Sequence, residues 1–381
     1  MVYGCRHRAD CDLFVFLNTF SVKDLCLLPC RQYSYPPVVI CLSYPNIRPM
    51  EKCIAIVVTY NRLHLLKECI AALRTQTRKP DAILVVNNGG LDDTSEWLGT
   101  QKDLLSISQK NIGSGGGFNT GIQWAFKNGY SWMWCMDDDG YPRADALEKI
   151  LEPETGRLCL RNCAVVNKED RRSFVWKTKN YRTIDEVKEK IMPGVGHPFN
   201  GTLLHRNIVE RVGMPKEKLF VWGDETEYYY RITRRDQIPV ITVADSIHYH
   251  PAALYSFRKD WDLRTGWKMY YYVRNRFEID KSKFSIPALA LAHYCCFLIA
   301  LAGLILFYQR TEKLKKIAFM LWPAYDAFAN RFDATPQSVQ LRLIDNSTLS
   351  LGAAWRNYAS GIYDGIASLF AAPRLKRPQH A

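Results

Sequence analysis

The chain has 381 residues, with 51 Lys and Arg against 38 Asp and Glu for a formal charge of +13, and it is 48% hydrophobic and 23% charged. That much apolar surface excludes a disordered chain, and 22 Gly and 18 Pro without a period exclude collagen-like or low-complexity order. A mean hydropathy of −0.21 argues against a polytopic membrane protein, and the length fits one large domain with an appendage, or two domains.

Residues 1–49 mix Cys, Pro and aromatics without period and lack a signal-peptide pattern, so they read as an extension ahead of Met50, poorly ordered or not native. From there, 53–60 (CIAIVVTY) is a continuous β-branched run, a strand buried on both faces. A helix over 64–75, a second buried strand over 82–86 and a short helix over 92–98 follow. A strand over 104–107, a glycine-rich loop at 113–117 opening a helix over 119–128, a strand over 130–136 and a helix over 145–151 complete this half. Alternation at these lengths predicts βαβ units and a mostly parallel sheet flanked by helices. Ligands of such sheets lie beyond the carboxyl ends of the strands. There the sequence puts Thr59-Tyr60-Asn61-Arg62, Asn87-Asn88 and Asp137-Asp138-Asp139.

The second half is mixed: strands over 199–204 and 239–243, helices over 206–212, 223–234 and 267–276. Residues 285–307 contain no Lys, Arg, Asp or Glu and are flanked by Lys281, Lys283, Arg310, Lys313, Lys315 and Lys316. Three placements fit this stretch: a core helix, a helix lying in a membrane interface, or a span. Twelve Cys without a CxxC pair read as small buried hydrophobes in a reducing compartment. The positive charge favours anionic partners, yet no basic-aromatic motif for reading nucleic acid is present.

Four constellations carry chemistry. Three adjacent carboxylates at a strand end repel one another unless a cation neutralises them, and Asp137 and Asp139, pointing the same way, could share one hard divalent ion, with Asp138 turned elsewhere. In 111–119, glycines such as Gly113, Gly116 and Gly117 would let backbone N–H groups approach an anion, and Asn119 could cap the following helix. In 222–227, acidic residues at a helix start are ordinary dipole partners, but Asp224 or Glu225 in an aromatic pocket also suits a general base, while Glu227 stays with the helix. Finally, alternation puts His248 and His250 on one face, where either could complete a carboxylate metal site or be a satisfied structural histidine.

Together these segments resemble family 2 inverting glycosyltransferases of the GT-A fold. IVVTYNR (56–62) is similar to that family's opening strand and nucleotide loop. VVNNGGLDDT (85–94) and NIGSGGGFNTGI (111–122) are similar to its next two segments, the 137–139 triplet to its DxD, and WGDETEYYYR (222–231) to its acidic catalytic segment. Asn87 stands where an Asp is common, and Asp224-Glu225 inverts the usual order. Galactofuranosyl- and rhamnosyltransferase-like members are nearest in character.

The resemblance implies an inverting, single-displacement hexosyltransferase of cell-surface polysaccharide synthesis. Mn²⁺ or Mg²⁺ would be held by Asp137, Asp139 and His248 or His250, and Glu225 or Asp224 would be the base. Thr59, Tyr60, Asn61, Arg62 and Asn88 would hold the nucleoside of a UDP- or dTDP-sugar. Gly113, Gly116, Gly117, Asn119 and Asp138 would hold the rest of the donor. It also implies a catalytic domain over 50–265 and a helical, membrane-associated region over 266–381. That region would sit at an anionic cytoplasmic leaflet beside a polyprenyl-linked or glycan acceptor. The competing expectation is a non-catalytic nucleotide-sugar or glycan-binding protein at the membrane.

Overall fold

The computed structural model describes residues 51–252, 259–345 and 349–370, so the reading of 1–49 lies outside the described residues. The first half forms β1 (Cys53–Thr59), α1 (Leu63–Arg74), β2 (Ala82–Asn87), α2 (Thr94–Thr100) and β3 (Leu105–Ser108). α3 (Gly113–Lys127), β4 (Trp132–Asp137), a short β5 (Tyr141–Pro142) and α4 (Ala146–Leu151) follow. Next come β6 (Leu160–Asn167), β7 (Ser173–Thr178), β8 (Tyr181–Thr183), β9 (Ile191–Pro193), β10 (Asn200–His205) and α5 (Arg206–Val212). α6 (Asp224–Tyr230) runs into a π-helical turn (Arg231–Arg235), and β11 (Val240–His250) closes the sheet.

The strands make one sheet with the order β3-β2-β1-β4-β10-β6-β11-β5, to which β7, β8 and β9 attach at the side. β3, β2, β1 and β4 are all parallel; beyond β4 the sheet is mixed, with β10 antiparallel to both neighbours and β11 parallel to β6. Period-2 alternation explains the unbroken apolar run of β1. Cys53, Ala55 and Val57 pack under α1 and α4, while Ile54, Ile56 and Val58 pack under Phe118 and Ile122 of α3.

The expected loop at 113–117 is instead the first turn and more of α3. Glycine is a poor helix former, but packing overrides that propensity where a neighbour must come close. A Cβ on Gly117 would press on Val58 and Asn88, and one on Gly121 would lie 2.5 Å from Ile56 Cγ2. The glycines let α3 settle onto the sheet.

Five helices complete the described chain: α7 (Lys268–Lys283), α8 (Pro287–Tyr308), α9 (Lys313–Phe328), α10 (Pro336–Ile344) and α11 (Leu351–Phe370). Their aromatic-rich core takes in Tyr270, Tyr271, Tyr294, Phe297 and Phe319, and Phe220, Val221 and Trp222 of the segment before α6 pack against it. α7 is buried along most of its length, charged residues Arg274, Arg276, Glu278 and Asp280 included.

Candidate active site

Parallel register brings the strand ends together. Val58 pairs with Asp137 across β1 and β4, and Thr59 with Asn87 across β1 and β2. Asp138 is buried beside β1: Thr59 Oγ1 donates to its Oδ2 at 2.6 Å, and Arg62 Nη2 lies 2.5 Å from its Oδ1. The same guanidinium reaches Asp139 Oδ2 through Nη1 at 2.8 Å. Arg62 is aimed by its neighbour, for Asn61 takes a left-handed φ of 53° and accepts the Leu91 N–H at 2.8 Å. Tyr60 is exposed at the rim.

β5 follows the triplet directly and pairs with β11, His248 opposite Pro142 and Tyr249 opposite Tyr141. That pairing carries His250 to the triplet, with Nε2 3.4 Å from Asp139 Oδ1. The Nδ1 of His250 sits 2.8 Å from the Pro251 carbonyl, which can only accept, so Nδ1 carries a hydrogen. The Trp176 ring of β7 lies tilted against His250, centroids 4.9 Å apart, and against His197 at 5.1 Å. His248 lies on the same face but deeper: it is fully buried, neither ring nitrogen has a hydrogen bond, and Gly140 leaves room for its Nε2. Of the two histidines, the structure brings His250 alone into contact with the carboxylates.

The three acids differ in proton affinity. Loss of solvent, then the Asp139 charge, pushes Asp137 up to about 8. Burial raises Asp138 to about 6 against the pull of Arg62 and Thr59. Asp139 is held well below the usual carboxylate range because His250 and Arg62 outweigh its burial. His250 is itself raised: burial opposes its charge, but Asp139 more than compensates.

The second acidic group lies across α3. Ser114 Oγ donates to Asp224 Oδ2 at 3.0 Å, and the Gly115 N–H donates to the Phe220 carbonyl at 3.2 Å. Asp224 is buried, its Oδ1 lacks a hydrogen bond, and burial followed by the Glu225 charge raises its pKa well above the ordinary value. Glu225 is half-buried and accepts the Gly223 N–H at 3.2 Å. Glu227 is buried in ion pairs with Lys216 at 2.9 Å and Arg231 at 3.0 Å and tied to Ser282, so it stays with its helix as expected. Gly117 against Val58 and Gly113 against Phe220 are four residues apart, so about 6 Å of α3 connects the strand end to the segment bearing Asp224.

Other expected donor contacts face inward. Asn88 is buried, donating to the Gly113 carbonyl at 2.9 Å and accepting from Gln109 at 2.7 Å. Gly116 and Gly117 are buried in helix packing, and Asn119, rather than capping, lies inside α3 and donates to the Pro215 carbonyl at 2.8 Å. The Gly113 N–H is taken by Asn111 Oδ1 at 2.9 Å. Within 113–117, the N–H groups of Gly113 and Gly115 are thus engaged by the protein itself, and Gly117 serves close approach to Val58 and Asn88. Sequence reasoning missed Ser114, although a lone hydroxyl among glycines was a signal. It also missed Trp176, for which no local signal existed.

A parallel half with an acidic triplet at its strand ends, joined to a mixed half that carries a second acid pair, is the GT-A type of α/β architecture. The chain matches the profile "Glycosyl transferase family 2" over residues 54–199. It is 32% identical over 222 residues to galactofuranosyltransferase GlfT1 of Mycobacterium tuberculosis, spanning 55% of this chain and 73% of that protein. To GlfT1 of Mycolicibacterium smegmatis it is 34% identical over 224 residues, spanning 55% and 74%. Among solved structures it is similar to S. aureus TarS 1-349 in complex with UDP, at a TM-score of 0.46 and 15% identity, covering 81% of this chain and 92% of that one. The chain belongs to glycosyl transferase family 2, and it is a glycosyltransferase.

Proposed function

We propose that this enzyme moves a sugar, with inversion, from a UDP- or dTDP-linked donor to a glycan or polyprenyl-linked acceptor, with a divalent ion at the 137–139 triplet. The identity to galactofuranosyltransferases makes UDP-galactofuranose the first donor to test. The reading is carried by one observation: an acid–histidine pair at the end of β4 and a separate acid pair with Asp224 buried, joined across the first turns of α3.

The residues fit an ion on the following ground. Asp139 Oδ1 is buried without a well-formed hydrogen bond, and His250 Nε2 faces it at 3.4 Å. Two electron-rich atoms so close need a proton or a cation between them. Adjacent ligands of an octahedral ion with bonds of about 2.1 Å lie about 3.0 Å apart, close to that separation. Among the described residues no group of three or more His, Cys, Asp or Glu is arranged to hold a metal. Mg²⁺-type ions commonly take one or two protein ligands and leave the rest to phosphate and water. Asp139 and His250 would hold the ion, with Asp137 beside them. The ion, when bound, neutralises charge growing on the departing diphosphate.

Thr59 fixes Asp138 at the nucleoside end, and Tyr60 and Asn61 form the rim with Arg62 beside them. Asp224, anchored through Oδ2 by Ser114, keeps Oδ1 to accept a proton, and burial beside Glu225 raises its affinity for one. The acceptor hydroxyl loses its proton to Asp224, its oxygen bonds the anomeric carbon, and the bond from that carbon to the diphosphate oxygen breaks. Glu225 tunes Asp224 by like charge.

The 50–265 region would carry this chemistry and 266–381 would seat it on a membrane. α8 has 22 residues and is long and apolar enough to cross a bilayer. A stripe from Ala290 through Tyr294, Phe297 and Leu301 to Ile305 packs inward, while Ile299 is 73% and Phe307 84% exposed. A helix with one face held by protein and basic residues at both ends fits an interfacial position on an anionic cytoplasmic leaflet. Beside its end, Lys259, Phe307, Tyr308, Arg310 and Lys313 line a cleft of about 750 Å³. Transfer from UDP- and dTDP-sugars to membrane extract, with and without Mn²⁺, tests the proposal. Nucleotide-sugar binding without turnover would return the chain to the non-catalytic reading.

A further inference from the structure

Arg62 is placed where no simple donor-binding residue needs to be. Its guanidinium lies across two carboxylates at once, 2.5 Å from Asp138 Oδ1 and 2.8 Å from Asp139 Oδ2. Of the two remaining oxygens, Asp138 Oδ2 is engaged by Thr59, while Asp139 Oδ1 faces His250 Nε2 at 3.4 Å without a well-formed hydrogen bond. The backbone of Arg62 is pinned, since its carbonyl accepts the N–H groups of Leu65 and Leu66 at the start of α1 and Asn61 holds the turn before it. Its side chain is 40% exposed, so the guanidinium can leave while the backbone stays. Lys268, at the start of α7, is a further cation whose charge is felt by this group, besides His250.

A divalent ion brought to Asp139 would meet this guanidinium as a like charge on the same carboxylate, and one of them must yield. The planar fork of an arginine matches the paired oxygens of a diphosphate. We propose that Arg62 is the built-in counter-ion of the acid triplet, displaced when the divalent ion binds, and that the freed guanidinium then grips the donor diphosphate, so that ion and nucleotide strengthen each other's binding. This rests on the reading of Asp139 as an ion ligand, and the test separates the two.

Mn²⁺ is titrated into the full chain and followed by the EPR signal of the free ion, with and without UDP, for wild type, Arg62→Gln, Arg62→Lys and Asp139→Asn. Wild type should bind Mn²⁺ weakly alone and at least about fivefold more tightly with UDP, and by reciprocity Mn²⁺ should tighten UDP equally. Arg62→Gln should bind Mn²⁺ alone about tenfold more tightly than wild type and lose most of the UDP enhancement. Without ion it should melt below wild type, and it should gain more on adding Mn²⁺. Arg62→Lys should keep the weak affinity for Mn²⁺ alone, because the charge remains. If Arg62→Gln binds Mn²⁺ no more tightly than wild type while Asp139→Asn loses it, the counter-ion role is overturned and the ion site stands. If neither wild type nor Arg62→Gln binds Mn²⁺ even with UDP, the ion site itself falls and the counter-ion role with it.

Discussion

Replacing Gly113 with alanine tests whether α3 truly positions the acid pair. Gly113 has a φ of +77°, and an added Cβ would lie 2.5 Å from the Phe220 carbonyl carbon and 2.7 Å from its Cα, closer still to the oxygen. Both partners are backbone, so no side chain can rotate away. Reaching ordinary carbon–carbon contact near 3.5 Å requires the two segments to separate by about 1 Å. The Phe220 segment is held from behind, because Asn275 Nδ2 lies 2.8 Å from the Leu219 carbonyl and 2.9 Å from that of Val221. The left-handed φ costs about 1–2 kcal/mol and each broken hydrogen bond about 1 kcal/mol, giving a loss of about 3 kcal/mol. Asp224, four residues after Phe220, moves with the segment, and a misplacement of about 1 Å costs about 100-fold in turnover. Gly129→Ala is the control: its φ is +78° with nothing within 4 Å of the added Cβ, so it carries the backbone cost alone. Gly115→Ala, 3.1 Å from Asp224 Cβ, should fall between them. Melting curves and initial rates at saturating donor for the three variants decide the matter. If Gly113→Ala turns over within twofold of Gly129→Ala, the contact between α3 and the Phe220 segment does not position the base.

Asp139→Ala should abolish transfer and Mn²⁺-dependent stabilisation while leaving the circular dichroism unchanged; undiminished turnover would remove the ion from the mechanism. Asp224→Asn should cut transfer by about 1,000-fold and yet raise the melting temperature at pH 8. The sign follows from its raised pKa: the stability contributed by Asp224 is complete below its unfolded value near 3.8 and is lost as pH rises toward the raised one. The gain should therefore shrink toward pH 5, and a variant that melts lower at pH 8 would contradict the assignment. Lys313→Glu combined with Phe307→Asp should weaken sedimentation with phosphatidylserine vesicles by at least about tenfold, since each basic residue near an anionic surface contributes about 1 kcal/mol. Unchanged sedimentation would place the bilayer elsewhere.

Much of this was readable from local pattern. The β1 run, the parallel order of the first four strands and the acidic strand end follow from side-chain periodicity, which needs no partner to be seen. Residues 160–167 were not read as a strand, because Arg161 and Asn162 interrupt the apolar run. In the fold those polar groups are buried but partnered, Arg161 Nη1 by the carbonyls of Ile150 and Leu151 and Asn162 by Thr202. The glycines of α3 looked like a loop because their compatibility with a helix depends on Val58, Ile56 and Phe220, neighbours distant in sequence. The choice between His248 and His250 turned on the pairing of β5 with β11, a long-range register that alternation along one strand cannot supply.

One consequence of α7 reaches into how the enzyme can be handled and how it can change. A peripheral protein joined to its anchor by a hinge can be released by trimming. Here the amide of Asn275 and the guanidinium of Arg274 clasp the carbonyls of Leu219, Val221 and Trp222, so buried α7 backs the segment that leads to Asp224. A chain shortened near residue 265 would lose α7 and that support together, so the intact polypeptide is the sounder route to working material. Mutational drift meets the same obstacle, because a change in α7 is felt both by the segment before Asp224 and by the helical core that α7 belongs to.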